Sequence, residues 1–233
     1  MRERFLAQLA ADPCAGVRIE TAFACYEQQP AVASFYWTEH AALLLLGDSL
    51  LISGTVEDAQ ELKDFCAFAR LARVEGGGVC PQGFAARRTL CMARAVGAAR
   101  RTATPFAARV DLWKLSRSGL LGVDADAWYA DACARRNRGL AEIWTVCDGE
   151  DIIATAGVYA RRRDAAYISA VATRADHRGR GLASGLVQGL ADAYGDGTVT
   201  LRCTEELRPF YERLGFFVRE EIVDYAREPV EKT

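Results

Sequence analysis

The sequence is poor in histidine, lacks closely paired cysteines and has no long hydrophobic run. His40 and His177 are the two histidines of the 233-residue chain, too few for a metal site built from histidine side chains. The eight cysteines include no C-x-x-C pair, so their spacing favours neither structural zinc nor a disulfide framework. The longest apolar run, Ala41–Leu46, is far too short to cross a bilayer. We therefore expect no metal and no membrane partner.

An excess of positive charge is also missing. The formal net charge is −2 and the isoelectric point lies near 5.8, which argues against a nucleic-acid partner. The first residues, MRERFLAQLAADP, have no apolar run typical of a signal peptide. We expect a cytoplasmic protein whose cysteines stay reduced and mostly pack as small apolar side chains.

Apolar periodicity predicts a small set of elements in the first hundred residues. Helical spacing indicates helices over residues 2–10, 57–69 and 88–99. Residues 31–37 resemble a strand, and two apolar runs around Gly47 and Asp48 predict a β-hairpin. Three glycines at 76–78 lack the Lys-Ser/Thr that follows in a phosphate loop, which favours a flexible connector.

Around residues 99–105, ARRTATP, the composition turns polar, and we place a domain boundary between residues 102 and 103. The predicted elements beyond it are helices at 112–120 and 125–136, strands at 143–146, 152–159 and 166–172, a helix at 181–194, a strand at 199–203, a helix at 206–214 and a strand at 216–225. This order predicts an α+β fold with helices layered on a mixed, mostly antiparallel sheet. Residues 1–102 would form a smaller α/β domain of unknown role.

The most informative segment is VATRADHRGRGLAS, residues 171–184. It reads as a strand end, a turn, an Arg/Gly loop and the start of a helix, and Arg178, Gly181 and Ala183 fit the pattern [Gln/Arg]-x-x-Gly-x-[Gly/Ala]. Glycines let the backbone approach a ligand closely, and the first turn of a helix offers unpaired N–H donors. Together with Arg178 and Arg180, these donors predict a binding site for a pyrophosphate.

A second motif, FYERLGF, follows at residues 210–216. Tyr211 could be a core aromatic beside Phe210 and Leu214, but its place after the Arg/Gly loop favours a functional role. The two motifs and the order of elements resemble the GNAT superfamily of acyl-CoA-dependent N-acetyltransferases, over residues 110–226. The chain also resembles bacterial members with an extra N-terminal domain, so residues 1–102 could be a degenerate GNAT-like half.

The resemblance implies acetyl-CoA as cofactor and assigns roles to particular residues. In this family the loop holds the pyrophosphate of CoA through backbone amides, the strand end pairs with the pantetheine arm, and the tyrosine protonates the leaving thiolate. The implied catalytic acid is Tyr211. The implied cofactor-binding residues are Ala170, Val171, Ala172, Thr173, Arg178, Gly179, Arg180, Gly181, Leu182, Ala183 and Ser184.

The base that would deprotonate the amine is less evident. Four side chains fall on elements that could face the cleft, namely Glu142, Asp164, Tyr167 and Glu205. Glu205 is the first candidate, because it follows the strand that would diverge from its neighbour at the acetyl site. A chain of water molecules, or an acceptor that arrives neutral, would remove the need for any base.

Three functions are compatible with these motifs. The leading hypothesis is an acetyl-CoA-dependent N-acetyltransferase whose acceptor is the amine of a small molecule or peptide. An alternative is a CoA-binding sensor or protein-interaction module without turnover. Acetylation of aminoacyl-tRNA is a third, disfavoured by the absence of a basic composition.

The N-terminal residues have no equivalent of the Arg/Gly loop, so we expect them not to bind CoA. They could shape the acceptor pocket, form a homodimer interface or cover the sheet. We expect the acceptor to bind near the junction between the two segments, because pockets tend to lie at domain interfaces.

Overall fold

The computed structural model describes residues 2–96, 110–194 and 197–228. Within them the helices are α1 (Arg2–Ala10), α2 (Ala15–Tyr26), α3 (Ala59–Phe68), α4 (Leu112–Arg117), α5 (Ala125–Asn137), α6 (Leu182–Tyr194) and α7 (Arg208–Glu212). The strands are β1 (Ala33–Trp37), β2 (Ala41–Leu46), β3 (Ser49–Thr55), β4 (Arg73–Gly77), β5 (Phe84–Val96), β6 (Glu142–Asp148), β7 (Asp151–Arg161), β8 (Ala165–Thr173), β9 (Gly197–Cys203) and β10 (Phe217–Arg227). The predicted α+β class is confirmed.

The strands form one mixed sheet with the order β1-β2-β3-β4-β10-β5-β9-β8-β7-β6. The pairs β3/β4 and β8/β9 are parallel, and the other neighbours are antiparallel. The predicted boundary between residues 102 and 103 lies outside the described residues. Strand β5, which precedes it, lies between β9 and β10, which follow it, so strands from both sides share the centre of the sheet.

Helices cover both faces of the sheet at β8. On one face Ile168 packs with Leu186 of α6 in the largest apolar cluster. On the other face Ala165 and Tyr167 pack with Val17 of α2. Because successive side chains of a strand point to opposite faces, β8 is held between two helical layers and its carboxyl end is fixed in position.

No helix of the described residues is long and apolar enough to cross a membrane.

Residues 88–99 were predicted as a helix, and this prediction is wrong, because residues 84–96 form strand β5. Leu90 and Met92 pack in the cluster around α6, whereas Cys91 packs in the cluster below α2. Residues 90–93 are buried on both faces of the sheet, and such a segment loses the alternation of apolar and polar residues that reveals a half-buried strand.

The predicted connector at 76–78 is also wrong in part, because Gly76 and Gly77 end strand β4. They lie against Ile52 of β3, where a Cβ on Gly76 would come within 2.8 Å of the Ile52 carbonyl oxygen. The close approach of two strands therefore requires glycine here. Helix α2 was not predicted. Its start is fixed by Asp12, whose carboxylate accepts hydrogen bonds from the backbone N–H groups of Cys14 and Ala15.

Candidate functional site

Strand β8 leaves its parallel neighbour half-way along its length. Its pairing with β9 runs from Ala165 to Ile168, whereas its pairing with β7 continues to Thr173. The register with β7 shifts between Ser169 and Ala172, and Ala170 has a left-handed φ of 54°. This irregularity is typical of a β-bulge, which bends a strand and redirects its backbone groups. The end of β8 and β9 therefore diverge and open a gap between them.

The segment after Thr173 leads through a 3-10 turn (Ala175–His177) and the Arg/Gly loop into α6. Gly179 and Gly181 have φ values of 77° and 74°, and a Cβ on either residue would have no heavy atom within 4 Å. Their backbone conformation, rather than crowding, therefore favours glycine. The N–H of Gly185 bonds to the carbonyl of Gly181 at 3.0 Å, so the N–H groups before it have no partner within the helix.

A cleft of about 800 Å³, which we call the loop cleft, runs along the strand end, the Arg/Gly loop, the start of α6 and α7. Its lining includes residues 171–173 and 178–184 together with Tyr211. An adjoining cavity of about 320 Å³, the splay cavity, lies at the divergence of β8 and β9 and is lined by residues 167–172, Arg202 and Tyr211. The structure thus brings the predicted cofactor residues and Tyr211 together around two adjoining spaces.

A third cavity of about 270 Å³, the inner cavity, lies between the N-terminal segment and residues 131–169. Arg18 and Glu75 come from the N-terminal segment, and Asp131 and Arg135 come from α5. Residues 167 and 169 line both this cavity and the splay cavity. The three spaces therefore follow one another from the Arg/Gly loop towards the N-terminal segment.

His177 supports the loop from within. Its side chain is buried, with Nδ1 2.8 Å from Asp176 Oδ1 and Nε2 3.3 Å from Asp148 Oδ2. Hydrogen bonds from His177 and Arg174 lower the pKa of the Asp176 carboxyl to about 2. Arg174 also donates to Asp151 at 3.1 Å. These contacts attach the turn before the Arg/Gly loop to the β6–β7 hairpin.

Tyr211 lies on α7 with 5% of its surface exposed. Its ring packs edge-on against Phe210 and Phe216, with centroids 4.9 and 6.1 Å away. Burial, with a smaller contribution from Cys203, raises the pKa of the Tyr211 hydroxyl to about 12. The residue is therefore part of the core and also lines the loop cleft and the splay cavity as a protonated phenol.

The four candidate bases are placed differently. Glu205 is exposed, accepts a hydrogen bond from Arg208 at 3.3 Å and lies outside the lining of the loop cleft and the splay cavity. Glu142 accepts a hydrogen bond from the indole N–H of Trp144. Asp164 accepts one from Arg162, just before the start of β8. Tyr167 alone of the four lines the splay cavity, and burial raises the pKa of its hydroxyl. A role for Glu205 as base stays a prediction.

Sequence reasoning missed a charged network beside these cavities. Glu75 Oε2 accepts hydrogen bonds from Arg18 and Arg202, both at 2.7 Å, and Arg202 also contacts Asp224 and Thr89. Burial alone would raise the pKa of Glu75, but the two arginines outweigh it and lower the pKa to about 2. These residues lie on separate elements, so no local sequence pattern could have indicated the network.

A comparison with models of protein families identifies the segment that contains the Arg/Gly loop and Tyr211. Residues 109–216 match the acetyltransferase (GNAT) family model. Residues 109–216 therefore belong to the GNAT family, and the resemblance inferred from the motifs is confirmed. The chain matches no curated protein by sequence. Among the described residues, no group of three His, Cys, Asp or Glu side chains is placed to share a metal ion.

Solved structures extend the similarity over most of the chain. A GCN5-related N-acetyltransferase from Kribbella flavida superposes with a TM-score of 0.56 at 16% identity, covering 91% of this chain and 95% of that one. A GCN5-related N-acetyltransferase from Sphaerobacter thermophilus superposes with a TM-score of 0.54 at 16% identity, and 94% of each chain is covered. A GCN5-related N-acetyltransferase-like protein from Streptococcus suis gives 0.54 at 17% identity, with 90% and 93% covered. These likenesses show a shared fold that includes the N-terminal segment.

Proposed function

We propose that the protein is an acetyl-CoA-dependent N-acetyltransferase that moves an acetyl group to a primary amine by direct attack within a ternary complex. The observation that carries this proposal is the junction of the loop cleft with the splay cavity at residues 171 and 172, beside Tyr211. One space suits a long anionic cofactor and the other a small acceptor.

The residues around the loop cleft fit the cofactor. The free N–H groups at the start of α6, together with the exposed side chains of Arg178 and Arg180, suit a pyrophosphate. Thr173 lines the cleft, and its Oγ1 is buried without a hydrogen-bond partner among the described residues. A bound pantetheine arm, which carries amide groups, would offer that partner. Acetyl-CoA supplies the activated thioester.

The chain supplies positioning and hydrogen bonds. Beyond Ile168 the backbone of β8 no longer pairs with β9, so N–H groups of the strand end can face a carbonyl oxygen as negative charge develops on it. Holding amine and thioester together in two adjoining spaces removes much of the entropic cost of the reaction.

Tyr211 acts on the leaving sulfur. Its pKa of about 12 keeps the hydroxyl protonated at neutral pH. An ordinary thiol has a pKa of about 8.5, so full transfer of the phenol proton to a thiolate is uphill. We therefore assign Tyr211 as a hydrogen-bond donor to the developing thiolate. The amine attacks in its neutral form, and the proton that finally neutralises the sulfur is the one that its nitrogen loses after the C–N bond has formed.

The first experiment titrates the purified protein with acetyl-CoA and follows its melting temperature. At about 100 times the dissociation constant, a ligand stabilises a fold by roughly 2.7 kcal/mol. We expect this shift in the wild type and its loss in Arg178→Glu. Arg219→Glu, the same charge change on the exposed face of β10 away from the cleft, is the matched control.

Turnover is then measured as thiol release with a panel of primary amines. Acetyl-CoA binding together with amine-dependent thiol release supports the proposal. Binding without release for any amine would instead favour a CoA-binding module. The absence of a shift at millimolar acetyl-CoA would contradict both functions.

A further inference from the structure

We propose that the acceptor is a small amine that also carries a carboxylate, and that Arg202 binds this carboxylate in the splay cavity. The inference rests on the proposed function, because it concerns the second substrate of the same reaction. Two observations support it, an unused donor on Arg202 and the size of the space, and the surrounding charges are compatible with it.

Arg202 has a donor that the protein does not use. Its side chain is nine-tenths buried and lines the splay cavity. Nη1 donates to Glu75 and Nη2 to Asp224 and Thr89, whereas Nε is buried and has no hydrogen-bond partner among the described residues. Buried donors are rarely left without a partner in folded proteins. Because Arg202 lines the cavity, a small rotation of its guanidinium would turn this donor towards a bound molecule.

The charges around the cavities are compatible with an anionic partner. Arg18, Arg135 and Arg202 line the inner and splay cavities, against the carboxylates of Glu75 and Asp131. Asp224, which contacts Arg202 from outside the lining, brings the count to three charges of each sign, so no net negative charge repels an anion. Carboxylates form short, charge-assisted hydrogen bonds with guanidinium groups, which makes a carboxylate the best match for a spare N–H on a buried arginine.

The distance available limits the acceptor to a small molecule. The reacting amine has to reach the strand end at residues 170–172, and the carboxylate has to reach Arg202. Residues 170–172 and Arg202 line the same cavity, which has a volume of about 320 Å³. Amine and carboxylate are therefore separated by a few atoms, as in an amino acid. A side chain of the acceptor can extend past Tyr167 and Ser169 into the inner cavity, which both residues also line.

The test compares matched acceptors on the wild-type protein saturated with acetyl-CoA. Each of the common amino acids is paired with its amide and with its decarboxylated amine, and thiol release and calorimetric binding are measured for all three. For at least one amino acid we expect kcat/KM at least about tenfold above both of its partners, as loss of a charged hydrogen bond implies. This series uses wild-type protein only and is independent of variant folding.

A variant series locates the carboxylate. Arg202→Lys keeps a positive charge beside Glu75 and Asp224 but removes Nε. We expect it to raise KM for the preferred amino acid by about 10- to 100-fold, with little change for its amide and in the affinity for acetyl-CoA. Arg88→Lys, on the exposed pair with Glu221, is the matched control.

The outcomes separate this inference from the proposed function. Any of three results would overturn the inference. The first is that amides or simple amines react as well as the amino acids do, and the second is that no carboxylated amine binds. The third result is an equal loss of activity with all acceptors in Arg202→Lys. Acetyl transfer to amines would stand in the first and third cases. Failure of the protein to bind acetyl-CoA would contradict the proposed function itself.

Discussion

The carboxylate of Glu75 lies 2.7 Å from the guanidinium of Arg202, although 127 residues separate them in the sequence. Glu75 is on β4 and Arg202 on β9, with β10 and β5 between these strands in the sheet. The intervening strands contribute Asp224 and Thr89 to the same network. One arginine side chain therefore connects four neighbouring strands beside the inferred acceptor site.

Glu75→Gln should destabilise the fold. Removing one member of a buried ion pair leaves its partner's charge uncompensated and costs about 3 kcal/mol. Here two arginines would lose their shared carboxylate. Urea unfolding gives the change, with Glu221→Gln as control, since its pair with Arg88 is exposed and is expected to contribute below about 1 kcal/mol. Equal free energies of unfolding for the two variants would contradict the role assigned to Glu75.

The contribution of Glu75 should depend on pH. Its pKa is lowered on folding from 4.5 to about 2, so the carboxylate stabilises the fold above pH 4.5 and loses that effect as the pH falls towards 2. The difference in unfolding free energy between wild type and Glu75→Gln should therefore be largest above pH 4.5 and narrow below it. Urea titrations at several pH values measure it. A difference that stays constant down to pH 2 would show that the carboxylate charge is not responsible.

Tyr211→Phe should reduce turnover more than cofactor binding. Loss of a hydrogen bond to a developing charge lowers kcat by about 10- to 100-fold. The ring itself stays packed between Phe210 and Phe216, so the melting temperature should change little. Steady-state kinetics and an acetyl-CoA titration separate the effects, and Tyr36→Phe on the exposed edge strand β1 is the control. Unchanged kcat in Tyr211→Phe would leave the tyrosine with a packing role.

Gly181→Ala should weaken acetyl-CoA binding. The substitution meets no neighbouring atom, but its φ of 74° is unfavourable for alanine by about 1 kcal/mol, so the loop will shift. Gly47→Ala is a close control, because Gly47 also has a positive φ, 60°, and open space around it, yet lies in the β2–β3 hairpin turn. We expect similar losses of stability in both variants and a lower acetyl-CoA affinity, about tenfold, in Gly181→Ala only. Calorimetry with acetyl-CoA gives the comparison.

Elements with a clear local pattern were predictable from the sequence. The hairpin at Gly47–Asp48, the Arg/Gly loop and α6 follow from turn chemistry and periodicity over a few residues. Strand β5 was not predictable, because its residues 90–93 are buried on both faces, which removes the alternation on which such a prediction depends.

The candidate site was predictable in the same uneven way. Residues 178–184 and Tyr211 belong to contiguous motifs, and the structure places them around one cleft. Arg18, Glu75 and Arg202 meet only because α2, β4 and β9 come together in the fold. No local sequence pattern distinguishes Arg202 from the other arginines of the chain.

The place of β5 between β9 and β10 has a consequence for how the chain is made. Thr89 of β5 pairs with Ile222 of β10, which the ribosome adds 133 residues later. During synthesis β5 therefore leaves the exit tunnel long before β9 and β10 have been made, and the hydrogen-bonding groups along both of its edges stay unpaired until then. Closing such long loops is slow and entropically costly, so the centre of the sheet forms last, after the hairpins on either side. In the nascent chain β5 is therefore an unpaired strand, prone to pair with other chains, until β9 and β10 have been made.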